Sequence, residues 1–402
     1  MLKTMSLFNL FNNQQLKFLI LVCLVSNLSA APNKPPECEG LPLAAEFTSG
    51  VAWSMCLDLD EEEGLSVHQL KHRSLGLERR VLGKASLSQL EIVFDDNTQP
   101  PNFVVTRDGL GGDKLLKLHP QDCVGGKLYP ETGGRRNLIC ARTQDDGLLY
   151  RYGYQAQRQG AFFEVFSISQ ATALQTYTQR WRFYETGVIE PAIGFSGKIP
   201  RFAPAHLGFG RAITDADEWA LGFSAYLGWR LDFDLGKEAN NDVAEEINSH
   251  PSPSRRHKSL STAILSYETA RNLNPELKTS WRIKDGDERN EFGQAISYEL
   301  VPSQYYQTNS EVRGRPWLKH DVYFTRYREC EQHASDNPAN TGCARNVLQA
   351  SQDQEALEKT DLVLWYKQNY HYLPRSEDSD YLSTDWVSFQ LMPRDWTAGN
   401  PL

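Results

Sequence analysis

The chain of 402 residues has no excess of positive charge: 42 Lys and Arg stand against 51 Asp and Glu, a net charge of −9. Nucleic-acid binders gather basic residues on one face or stripe, so this balance argues against that class of partner. No Gly-rich phosphate loop, His-Glu-x-x-His or Gly-x-Ser-x-Gly occurs. Common routes to nucleotide binding, zinc proteolysis and α/β-hydrolase chemistry are therefore missing. No Cys-x-x-Cys pair is present, which leaves little basis for a structural zinc site. Beyond the N-terminal run, no apolar stretch reaches the length needed to span a bilayer. Helical periodicity is scarce, and neither an internal repeat nor a clean linker interrupts the chain.

What is present begins with a leader. Lys3 and Lys17 precede the apolar run 18–25, and small residues follow at Ser29-Ala30-Ala31. The run is too short for a spanning helix and has the layout of a cleavable signal peptide. Residues 1–30 are therefore assigned to a signal peptide, 31–49 to an extended lead-in and 50–402 to one large domain. The expected destination is outside the cytoplasm, either periplasmic or extracellular, with no membrane contact after cleavage. Six cysteines remain: Cys38, Cys56, Cys123, Cys140, Cys330 and Cys343. An even count in an exported chain reads as disulfides, although six cysteines allow fifteen pairings. The nearest-neighbour set joins Cys38 to Cys56, Cys123 to Cys140 and Cys330 to Cys343.

The pattern along the domain is mainly strand. With 17 Tyr, 18 Phe and 9 Trp, the composition suits half-buried pleated surfaces. Period-two alternation marks 64–70, 90–94, 162–168, 181–195 and 230–236, with a hairpin turn expected at Thr186-Gly187. Residues 237–258 read as a long polar excursion. The one helix candidate is 344–359, with Leu348 and Leu357 among polar residues.

Five ordered blocks resemble the catalytic domain of the copper- and topaquinone-dependent amine oxidases. They are Gly50-Val51-Ala52-Trp53 through Lys84-Ala85-Ser86; Cys123-Val124-Gly125-Gly126 with Asn137-Leu138-Ile139-Cys140; Trp181 with Gly187-Val188-Ile189-Glu190; Arg230-Leu231-Asp232-Phe233-Asp234; and the stretch from Gly293 to Leu402. The last contains Thr360-Asp361-Leu362-Val363-Leu364-Trp365 and His371-Tyr372-Leu373-Pro374. The resemblance implies a large twisted β-sandwich with few helices, a homodimer that exchanges long arms, and a disulfide loop around Cys123 and Cys140. Residues 237–258 are a candidate for part of such an arm.

The same resemblance locates the family's chemistry, and the residues needed for it are not there. The family oxidises a tyrosine to a quinone, binds a primary amine on it covalently, and uses an aspartate as general base. Counting six back from Trp181 and twelve back from Gly187 both reach Gln175, an amide that cannot become a quinone. Tyr177, two residues on, is the alternative precursor, and its plain reading is a packed strand residue. Two of the three copper-binding histidine positions fall on Phe223 and Ala225, which cannot ligate a metal. The third falls in 336–343, which contains no histidine; His333 nearby is a displaced alternative or a surface-loop residue. Asp108, in Arg107-Asp108-Gly109, matches the general-base position or simply makes a turn.

Three functions compete. The first is an exported, catalytically inactive amine-oxidase-like protein with no copper or topaquinone, serving as a binding or structural module for an unidentified ligand. The second is an active primary-amine oxidase with shifted copper ligands drawn from His333, His320 or His206 and with Tyr177 as precursor. The third is a different enzyme that uses Asp108 as base.

Overall fold

A computed structural model describes residues 38–402 except 96–101, 203–209, 214–217, 252–256, 303–313, 339–341 and 379. The leader and the start of the lead-in, residues 31–37, lie outside the described residues. The strands, in chain order, are β1 Leu41–Glu46, β2 Ala52–Asp60, β3 Gly64–Ser74, β4 Leu77–Phe94, β5 Phe103–Val104, β6 Lys127–Pro130, β7 Asn137–Tyr152 and β8 Ala156–Ser169. They continue with β9 Gln175–Tyr184, β10 Ile189–Gly197, β11 Arg201–Phe202, β12 Gly210–Ala212, β13 Trp219–Leu221, β14 Phe223–Gly236, β15 Asp242–Pro251 and β16 Lys258–Ile264. The last are β17 Thr269–Arg271, β18 Ser280–Arg289, β19 Ala295–Val301, β20 Val322–Arg326, β21 Leu362–Tyr372, β22 Leu382–Ser388 and β23 Gln390–Arg394.

These strands form two large sheets and one small one. The first sheet runs β1-β2-β3-β4-β14-β21-β20-β17, with β5 paired to β4. The second runs β16-β15-β18-β19-β23-β10-β9-β8-β7-β6, with β22 paired to β10. All strand pairs named below are antiparallel. Side chains from both sheets share one core, in which Trp181 of β9 meets Trp229 of β14 edge to face at 5.8 Å. The architecture is therefore mainly β, as the alternating pattern predicts, and is the β-sandwich that the family resemblance implies.

β14 is the spine of the first sheet. Its odd-numbered residues from Phe223 to Phe233 enter the shared core. Its other face is covered as well, by a smaller cluster of Tyr226, Trp317, Leu318, Ala334 and Val347. A strand buried on both faces loses its polar alternation, which explains the nearly continuous burial from Ala225 to Phe233. The Thr186-Gly187 turn joins β9 to β10 as expected. Gly187 has φ +87°, and a Cβ there would lie 2.8 Å from His72 Cε1 and 3.0 Å from Pro393 Cγ. Glycine is thus required on both conformational and steric grounds.

Two expectations are corrected. The helix placed at 344–359 shrinks to Val347–Ala350. Asn346 caps its start by accepting from the Gln349 N–H, and Gln354 and Lys359 adopt positive φ, which a continuing helix cannot accommodate. The described part of the polar excursion 237–258 is mostly sheet: β15 pairs with β18 on one side and β16 on the other. Val243 and Ala244 anchor its start in the interior, while every residue of β16 is exposed at the sheet edge. The cysteines form Cys38–Cys56, Cys123–Cys140 and Cys330–Cys343, the nearest-neighbour set.

Candidate functional site

Gln175 opens β9 opposite Gly197, and Tyr177 faces Phe195 across the same ladder. Residues two apart on a strand point the same way, so the two side chains meet. The Tyr177 hydroxyl donates to Gln175 Oε1 at 3.2 Å, and Asn102 Nδ2 donates to the same oxygen at 3.4 Å. Tyr177 is fully enclosed, edge to face with Phe103 at 5.5 Å and with Phe195 at 5.2 Å. Burial, and after it the charge of Asp108, raises the phenol's pKa, so Tyr177 stays neutral.

The start of β14 lies against the same rings. Phe223 stacks on Tyr372 at 5.0 Å and contacts Phe195, Tyr370 and Phe94 at 6.2, 6.1 and 6.4 Å. Phe195 stacks on Tyr370 at 5.3 Å. Ala225 is completely buried, opposite Ile92 on one side and Tyr370 on the other. Phe195 therefore joins the surroundings of Gln175 and Tyr177 to those of Phe223. The space is occupied by aromatic packing, and neither Phe223 nor Ala225 offers a metal-binding atom.

Asp108 lies close enough for its charge to act on Tyr177, but its hydrogen bonds go elsewhere. It ends a one-turn helix, Val105–Asp108, directly after β5, and Gly109 follows with φ +71°. Its Oδ2 accepts the Val104 N–H at 2.8 Å, and Arg107 clasps both oxygens at 3.0 and 2.7 Å. Partial burial opposes ionisation, but the Arg107 hydrogen bond, the Val104 N–H and the Arg107 charge outweigh it and lower the carboxyl pKa. A carboxylate held so firmly is a weak proton acceptor. A cleft of about 670 Å³ lies beside it, lined in part by Glu62, Val104, Thr106, Arg107, His333 and Asp336.

His333 is not a surface-loop residue. The segment around the Cys330–Cys343 disulfide folds back over β4 and buries it at 8% exposure. Nδ1 lies 2.9 Å from the Ser88 carbonyl and Nε2 lies 2.8 Å from Glu62 Oε2, so both ring nitrogens are engaged. Cys330 and His333 do stand in a Cys-x-x-His spacing, but the disulfide removes that thiolate. His320 Nδ1 lies 3.2 Å from Asn272 Oδ1. His206 lies outside the described residues.

Among the described residues, one group gathers three or more His, Cys, Asp or Glu side chains with ligand atoms within 4.8 Å of one another: Asp232, Asp234 and Asp361. Asp232 and Asp234 project from the same face of β14, and Asp361 immediately precedes β21, the neighbouring strand. Burial raises all three pKa values against the opposing charge of nearby arginines, and for Asp232 and Asp234 the neighbouring carboxylates add to the rise; Asp234 is pushed up to about 6. Asp232 Oδ1 and Asp361 Oδ1 are buried without a hydrogen-bond partner. An all-oxygen set of this kind suits a hard divalent cation and not copper. Millimolar Ca²⁺ is expected to raise the unfolding temperature at pH 7 by several degrees, and Asp361→Asn to shrink that gain; scanning calorimetry with and without chelator checks both. Sequence reading singled out both segments only as family blocks. The Asp-x-Asp alternation was a visible signal, but the third carboxylate needed the β14–β21 register.

The copper amine oxidase, enzyme domain, family model matches residues 49–402. A primary amine oxidase of Arthrobacter sp. (strain P1) is 22% identical over 91% of this chain and 61% of its own length. A histamine oxidase of Arthrobacter globiformis is 25% identical over 91% of this chain and 58% of its own length. The chain thus spans about three fifths of these relatives. Among solved structures, a copper-containing benzylamine oxidase from Hansenula polymorpha superposes with a TM-score of 0.73 at 17% identity, covering 94% of this chain and 65% of that one. An Aspergillus nidulans amine oxidase gives 0.71 at 19% identity, covering 97% and 56%.

Proposed function

Because the chain belongs to the copper amine oxidase family, we propose that it is an exported member that has lost amine oxidation and acts as a binding or structural module. One observation carries this reading: the residues at the quinone and histidine positions are tied together by the packed rings of Tyr177, Phe195, Phe223, Tyr370 and Tyr372. A redox site needs a tyrosine that can be oxidised beside a metal, and room for oxygen and amine. Gln175, Phe223 and Ala225 supply an amide, a hydrocarbon ring and a methyl group instead. The leader pattern and three disulfides support export to the periplasm or the extracellular medium. A homodimer is proposed on family grounds, with the β15–β16 hairpin as an arm.

The competing reading is a primary-amine oxidase that uses Tyr177 and displaced histidines. The buried, neutral Tyr177 and the doubly engaged His333 weigh against it. The deciding experiment loads the purified full chain with Cu²⁺, then measures bound copper, redox-cycling quinone stain and peroxide released from a panel of primary amines. All three are expected at the blank level. Stoichiometric copper together with a positive quinone stain and amine-dependent peroxide would overturn the proposal.

A further inference from the structure

A second set of buried oxygens lies near the aspartate triad and shares no residue with it. Gly236 ends β14 with φ +70°, and a Cβ there would lie 2.3 Å from Asp285 Oδ2 and 2.7 Å from Glu288 Oε2. Two carboxylates thus converge over a bare Cα. They come from an irregular stretch of β18, where the ladder to β19 breaks between Lys284 and Arg289. Such a bulge frees backbone N–H groups and re-aims side chains. Here the freed groups are used on one side only. Asp285 Oδ1 accepts from the Asp287 and Glu288 N–H groups at 2.7 and 2.6 Å and from Asn241 Nδ2 at 3.2 Å.

The other oxygens are left bare. Asp285 is 1% exposed, and its Oδ2 has no hydrogen-bond partner. Glu288 Oε1 takes the Arg79 Nε–H at 2.6 Å, while its Oε2 is buried without one. Asn241 Oδ1, from the connection between β14 and β15, is also buried and unpartnered. Arg79 directs Nη1 to the Trp396 carbonyl. Buried anionic oxygens facing a common space with no donor are costly unless a cation or a shared proton lies between them. We propose that a hard cation of the calcium class binds over Gly236, held by Asp285 Oδ2 and Glu288 Oε2. The missing Cβ is what lets the two carboxylates come together there.

Tb³⁺ and Ca²⁺ titrations of the chelator-stripped full chain test this, read by sensitised Tb³⁺ luminescence and calorimetry. Asp234→Asn disables the triad and leaves the Gly236 site intact. That variant is expected to retain about one equivalent of Ca²⁺ with a dissociation constant of roughly 1 mM or below. Adding Glu288→Gln is expected to weaken this remaining binding at least about tenfold. Asp285→Asn in the same background is the second probe should the Gln variant fold poorly by near-ultraviolet circular dichroism. Absence of binding to Asp234→Asn below about 10 mM Ca²⁺, or unchanged binding after a folded Glu288 or Asp285 substitution, overturns the proposal.

Discussion

Phe223→Ala is expected to cost the fold about 3–5 kcal/mol in urea unfolding at pH 7. Phe223 is 2% exposed, and its ring touches Phe94, Phe195, Tyr370 and Tyr372. Truncation removes the transfer free energy of the ring and leaves a hole that its aromatic neighbours close only in part, because two of the four are held elsewhere by hydrogen bonds. Tyr370 donates to Asp385 and Tyr372 to Asp378, both at 2.6 Å. The measurement bears on function as well as stability. A site kept open for metal, oxygen and substrate tolerates loss of a ring, whereas a filled core does not. A cost under about 1 kcal/mol would mean that the cluster is not packed core, and the inactive-scaffold reading would lose its main support.

The second large effect belongs to His72. Its ring stacks on Trp53 at 4.3 Å and lies 5.9 Å from Trp396, and Nε2 is buried with no partner. Burial, then the charge of Arg79, lowers its pKa from 6.5 to about 3. The unfolded chain protonates this residue near pH 6.5 while the folded chain does not, so the unfolded state binds more protons across that window. The stability involved is fully present above the unfolded pKa and is lost as pH falls toward about 3; at pH 4.5 the loss is roughly 2–3 kcal/mol. Asp234 acts in the opposite direction. Its folded pKa of about 6 lies above the usual 3.8, so the folded state takes up its proton first and gains stability as pH falls through that interval. The net slope of the wild type mixes these with other shifted carboxyls such as Asp232 and Asp361, and His72→Phe isolates the share of the histidine. The change in unfolding free energy between pH 7.5 and pH 4.5 is expected to become less unfavourable by about 2–3 kcal/mol in the variant. Equal pH dependence in both proteins would rule out a neutral His72.

Legibility followed the range of the interaction. The strands at 64–70, 90–94 and 230–236 were visible because alternation is local, and each lies within an observed strand. The 344–359 helix was misread because sparse apolar spacing says little where a cap and positive-φ residues end the helix after one turn. β15 was misread because its charged residues are paired within the sheet, where the buried Glu245 meets Arg282 and Lys284 on the neighbouring strand. His333 looked exposed because sequence cannot show a disulfide-bounded segment folding back onto Ser88.

The family, the sandwich class and the identities of Gln175, Phe223 and Ala225 were all contained in the order of the residues, since alternation, cysteine parity and motif spacing are properties of the chain itself. Whether those three positions enclose a space or a core was decided by packing. So was the meeting of Asp361 with Asp232 and Asp234, and of Asp285 with Glu288 over Gly236. Each depends on the register of strands far apart in sequence, and register is set by which side chains fit together across the two sheets.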